Sequence, residues 1–123
     1  MGVSAADALR EGDVIDWTRI TVLRAEIGED DLHEVIELFL EETDEVISRL
    51  DEGVEVADLE SLLHFLKGSA LNLGFSDLAE VCQNGERMAA SGNGGCVDLE
   101  RVINLYCASR TAFRDGLSLH LAA

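Results

Sequence analysis

Apolar residues recur at three- and four-residue steps along almost the whole chain, and no proline interrupts them in 123 residues. That spacing lines one face of an α-helix, whereas a half-buried strand needs strict alternation. No alternating run of useful length occurs, and nowhere does a proline ring bar a helix from continuing. The sequence predicts an all-α fold.

Stop signals cut the pattern into five helices. Asp16 is placed to cap a short first helix carrying Trp17, Ile20, Leu23 and Ile27, which Gly28 ends. Asp30 or Asp31 opens a long second helix with the stripe Leu32, Val35, Ile36, Phe39, Val46, Ile47 and Leu50, closed by Gly53. Asp58 caps a third, with Leu59, Leu62, Leu63, Leu66, Ala70 and Leu73 inward and Gly74 as its stop. Ser76 caps a fourth, burying Leu78, Val81, Cys82, Gly85, Met88 and Ala89. The stretch Ser91-Gly92-Asn93-Gly94-Gly95 is the clearest loop. A last helix starts near Asp98 and uses Leu99, Val102, Ile103, Tyr106, Phe113 and Leu117. Four long helices with short connections pack most simply as an antiparallel four-helix bundle, with the short N-terminal helix added at one end. The bundle is expected over residues 15–120, behind a flexible N-terminal segment, 1–14.

Charge narrows the partners. The net charge is −16, and residues 1–60 carry −15 of it against −1 for residues 61–123. Nucleic acid is excluded, since phosphate backbones need Lys and Arg. The acidic half reads as a solvated face, and the near-neutral half is left for a partner. No run approaches the ~18 apolar residues of a membrane span. Met1–Val14 lacks the basic start and apolar middle of a secretion signal, so a cytoplasmic monomer without membrane contact is expected. Cys82, Cys96 and Cys107 are odd in number and lack a C-x-x-C spacing, so they read as reduced, packed thiols.

The segment that carries chemistry is His64-Phe65-Leu66-Lys67-Gly68-Ser69-Ala70-Leu71-Asn72-Leu73-Gly74. At about 100° per residue, His64 points roughly 140–150° away from the stripe centred on Leu63, Leu66 and Ala70. It therefore faces solvent. Ser61, three residues back, and Gly68, four residues on, are both small. A mid-helix glycine costs about 1 kcal/mol relative to alanine. Leaving that position empty clears a path for another protein's surface to reach the imidazole. Lys67, the only lysine in the chain, lies one turn from His64 and is placed to neutralise a phosphoryl group held there. A neutral imidazole nitrogen is a competent nucleophile near neutral pH. Phosphoryl transfer needs positioning and charge stabilisation more than covalent machinery. No kinase or phosphatase machinery is evident, and no residue set suggests a resident cofactor or metal, so the chain reads as a phosphocarrier and not an enzyme. His33 and His120 read as surface residues. Glu86 and Gln83 border the region but read as a solvated helix face, and Phe39 as core that could orient His64.

The segment resembles the signature of histidine phosphotransfer (HPt) domains: a histidine, then x-x-Lys-Gly-Ser, then a closing Leu-Gly. Here these are His64, Lys67, Gly68, Ser69, Leu73 and Gly74, with Asn72 also in the usual place. Phe39 ahead of an acidic cluster and the Cys82-to-Glu86 spacing fit the same pattern. The resemblance implies a four-helix core with His64 phosphorylated at Nε2. It implies exchange with aspartates of response-regulator receiver domains or a hybrid histidine kinase, and Mg²⁺ held by the receiver. The chain departs from the common pattern in two ways. Leu63 and Phe65 flank the histidine, Phe65 being expected to pack against a neighbouring helix, and Leu71 stands on the exposed side where it could tune partner choice. Other readings of the same residues are a non-phosphorylated adaptor that binds a receiver, and the phosphorylated domain of a chemotaxis-type kinase.

Overall fold

Asp16 opens the first helix as its position predicts: the carboxylate accepts from the amide of Thr18 at 3.1 Å. The computed structural model describes residues 15–122, with side chains through 117. The expected N-terminal segment 1–14 and the side chain of His120 lie outside the described residues. Helix α1 spans Trp17–Ile27, α2 Glu29–Glu52, α3 Val56–Leu73, α4 Ser76–Ala90 and α5 Leu99–Ala122, with one 3-10 turn at Gly94–Cys96. Among the described residues there is no strand. Helices α2–α5 form the antiparallel bundle, and α1 packs at the end where α3 stops.

Three helix starts differ from the sequence reading. Gly28, at φ +87°, ends α1 and begins α2 directly, so Asp30 and Asp31 fall inside the first turn with Glu29. Only a residue tolerant of that left-handed backbone lets one helix follow another with no linker. The three acids still complement the positive end of the helix. Likewise α3 starts at Val56, and Asp58 sits in its first turn, its amide donating to the Glu55 carbonyl at 2.9 Å. Ser76 is the first residue of α4 and makes no side-chain cap; Phe75 occupies the capping position and is itself fully buried. Burial of that ring, not a serine oxygen, fixes the turn.

The apolar stripes are where the spacing puts them. Leu59, Leu62, Leu63, Leu66, Ala70 and Leu73 of α3 are all buried. On α2 the buried stripe also takes in Leu40 and Thr43, while Val35 and Phe39 are only half-buried. Each fully buried leucine contributes about 1.5–3 kcal/mol. At the α1 end, Trp17 stacks on Phe113 with centroids 5.5 Å apart, and Phe75 meets Phe113 edge-on at 5.4 Å. Between α2 and α5, Asp44 accepts from the Tyr106 hydroxyl and from Arg110 Nε and Nη2 at 3.1 and 3.0 Å.

Gly74 ties α1 to the end of α3. Its φ is +78°, its carbonyl accepts from the Asp16 amide at 2.6 Å, and a Cβ there would collide with the Asp16 backbone oxygen. Gly74→Ala is expected to cost about 2 kcal/mol or more, from left-handed strain plus that collision. The check is a urea unfolding midpoint; an unchanged midpoint would show that this junction tolerates a side chain.

Candidate functional site

The α3 stripe that buries Leu63 completely turns the next residue outward, and 67% of the His64 side chain is exposed. Lys67 follows one turn later, with 25% of its side chain exposed. Both meet one residue of the neighbouring helix. Glu86 of α4 places Oε2 2.8 Å from His64 Nδ1 and Oε1 3.0 Å from Lys67 Nζ. Lys67 above all, and His64 after it, hold the Glu86 carboxyl below its ordinary value, against a burial that pushes the other way. An ionised carboxylate can only accept, so the ring nitrogen facing it carries the proton. The neutral ring then has its lone pair on Nε2, away from Glu86 and toward solvent.

Close contact between α3 and α4 sets this geometry. A Cβ on Gly85 would stand 3.0 Å from Leu63 Cδ1 and 3.2 Å from Val97 Cγ1. Gly85 and Leu63 are the immediate chain neighbours of Glu86 and His64, so the approach of one pair brings the other within hydrogen-bond reach. Gly68 is the opposite case. Its backbone has no positive φ, and nothing lies within 4 Å of where its Cβ would be. The fold itself gives no reason for the glycine, although it costs the helix about 1 kcal/mol.

The other predicted residues fall into place unevenly. Ser61 and Leu71 are exposed, Leu71 at 56%. Ser69 is buried. Asn72 accepts from Arg19 Nη2 at 3.3 Å and so helps hold α1 on α3. Phe39 packs half-buried against the core, and the polar contact that orients the histidine ring comes from Glu86 instead. Phe65 does not pack away as expected: it remains 40% exposed on the α3 surface. Gln83 and His33 are exposed. Cys82 lies buried near Glu86, its thiol pushed up to about 12 chiefly by burial and then by that carboxylate, so it is an inert packing group. Cys96 and Cys107 are free but exposed, contrary to the expectation that they pack.

Glu86 is the residue whose part the sequence reading understates. A signal for it is present. It follows Cys82 by four residues and Leu78 by eight, which puts an acid on the edge of the buried stripe and not on the solvent face.

The site is an open surface. A cleft between α4 and α5, lined by Asp77, Val81, Arg101 and Leu105 among others, includes none of His64, Lys67 or Glu86. Among the described residues no group of three or more His, Cys, Asp or Glu side chains is arranged to hold a metal ion. No helix among them is long and apolar enough to cross a membrane.

Comparison with protein families places this architecture. The family model for the Hpt domain matches residues 34–117, and the chain belongs to that family. The match spans α3 and α4 whole and most of α2 and α5, including every residue of the His64–Lys67–Glu86 cluster. Comparison with curated proteins and with solved structures finds no match. Membership supports a histidine phosphotransfer role in phosphorelays; Hpt domains interact there with receiver domains and kinases, and they are phosphocarriers rather than enzymes.

The lowered Glu86 carboxyl fixes the sign of a pH effect. Its folded value lies below the unfolded one of about 4.3, so its stabilising contacts are fully present above that pH. They are lost as pH falls through the folded value. The stability gap between wild type and Glu86→Gln is therefore expected to close below roughly pH 4. Urea midpoints measured from acid to neutral pH check this, and a gap independent of pH would contradict it.

Proposed function

We propose that this chain carries a phosphoryl group on Nε2 of His64 and passes it between aspartates of response-regulator receiver domains in a cytoplasmic phosphorelay, one source of the group being a hybrid histidine kinase. The observation that carries this reading is the exposed ring whose Nδ1 is engaged by Glu86, leaving Nε2 as the free nucleophile. The Nε2 lone pair attacks the phosphorus of an aspartyl phosphate, and the oxygen–phosphorus bond breaks with its electrons returning to the aspartate. Lys67 stands one turn away to meet the charge on the transferred group. Ser61 and Gly68 leave the approach open, and the exposed Leu71 offers an apolar contact by which receivers could be told apart. The Mg²⁺ that such transfer requires belongs to the receiver, not to this chain.

The carrier accelerates nothing by itself. An open nucleophile on a rigid helix suits docking to a second protein, which supplies the rest of the reacting groups. Incubation with a phosphorylated receiver and Mg²⁺ is expected to label the protein, with label lost in acid and retained in base. His64→Gln should abolish uptake; equal labelling of wild type and variant would overturn the reading in favour of a non-phosphorylated adaptor.

Gly68→Gln separates docking from folding. It is expected to raise helix stability by up to about 1 kcal/mol, because nothing in the protein meets the new side chain. Transfer should nevertheless slow by at least tenfold, as read by loss of label from a donor receiver. Normal transfer in that variant would mean that the empty position plays no part in access.

A further inference from the structure

Glu86 is bonded to the nitrogen that does not react, and the chemistry of the departing group gives that contact a second consequence, provided that His64 is the phosphorylated residue. When Nε2 of a neutral ring bonds phosphorus, the ring keeps its Nδ1 proton and becomes a cation. In the return step the nitrogen–phosphorus bond breaks and its electron pair goes back to Nε2. If Nδ1 still holds its proton, the group that leaves is neutral imidazole, and no proton moves in either direction. If the proton has been lost, the group that leaves is imidazolate, a far stronger base and a much poorer leaving group. The phosphorylated ring without its proton is a trapped form.

We infer that Glu86 is a positioning residue that keeps the proton on Nδ1 of phosphorylated His64, so that the carrier stays able to discharge at neutral and mildly alkaline pH. The geometry supports this directly. The carboxylate is 2.8 Å from Nδ1, it is ionised, and only 19% of its side chain is exposed, so its charge is less screened than a surface acid's. A negative charge at hydrogen-bond distance favours the cationic ring.

The other ionisable groups around the ring do not substitute for it. On α3, Glu60 lies one turn before His64 but is exposed, and Lys67 is a cation. On α4, Cys82 is a buried neutral thiol. Helix α2, whose Glu41, Glu42 and Glu45 are solvent-exposed, gives His64 no ion pair among the described residues. Arg19 of α1 is engaged with Asn72, two turns further along α3, and the 3-10 turn brings only the exposed Cys96.

The full chain, charged directly with phosphoramidate, tests the inference, and using one receiver for all variants makes the partner's own pH dependence common to them. Wild type, Glu86→Gln and Glu86→Asp are compared by ¹⁵N and ³¹P NMR of the phosphorylated ring across pH, and by transfer to one Mg²⁺-loaded receiver at each pH. Glutamine can still accept from Nδ1–H, so it removes the charge while leaving the hydrogen bond and the fold. In Glu86→Gln the ring should lose its proton about one pH unit lower than in wild type. Discharge on the alkaline side should then fall about tenfold, while Glu86→Asp recovers part of the wild-type profile. Coincident wild-type and Glu86→Gln titrations would overturn the inference while leaving His64 as the carrier. Equal charging of His64→Gln by phosphoramidate would instead remove the functional reading, and this inference with it.

Discussion

One carboxylate holds the working surface of this protein together. Glu86 reaches from α4 to two residues of α3, taking His64 on one oxygen and Lys67 on the other. Without it, a long lysine and an exposed imidazole would each sample several rotamers, and nothing would hold the ring proton on Nδ1. With it, two mobile groups share one anchor, and the entropy of ordering them is offset by charge-assisted bonds. Placing that anchor requires α3 and α4 to pack closely, which the missing side chain at Gly85 and the buried Leu63 allow.

The bundle serves this contact by being stiff where the site needs it. α3 carries an unbroken buried stripe from Leu59 to Leu73, so rotation of the helix about its axis would expose several leucines at once. That fixes the direction in which His64 points. The aromatic cluster of Trp17, Phe75 and Phe113 and the Asp16–Gly74 junction secure the far end of α3. Surface ion pairs such as Arg24–Glu29 and Arg114–Glu37 add little by comparison, since exposed pairs contribute at most about 1 kcal/mol. His64 therefore stands exposed midway along a well-packed helix, and its openness costs the fold nothing beyond one glycine.

Much of this is legible in the sequence, for definite reasons. The period of the apolar residues marks the five helices and nearly the whole core, because burial of a stripe dominates the energetics of a bundle. The same period turns His64 outward and puts Lys67 and Gly68 beside it. Helix starts are less legible at Asp58 and Ser76, since a polar residue near a start need not be the cap when a neighbour such as Phe75 is pinned by burial. Glu86 escapes because its role depends on contact between two helices, which spacing along one helix does not report. Phe65 misleads for the related reason that the flank of a helix is covered only if a neighbour reaches it. The exposed Cys96 and Cys107 cannot be told from the buried Cys82 by count and spacing alone.

The central claim is that the His64 ring, before any phosphoryl group arrives, carries its proton on Nδ1 and presents a bare Nε2. Long-range ¹H–¹⁵N correlation of the histidine rings at pH 8 measures this tautomer directly. A protonated Nδ1 and an unprotonated Nε2 are expected for His64, with that preference lost in Glu86→Ala. A His64 ring protonated on Nε2 in the wild-type protein would contradict the claim.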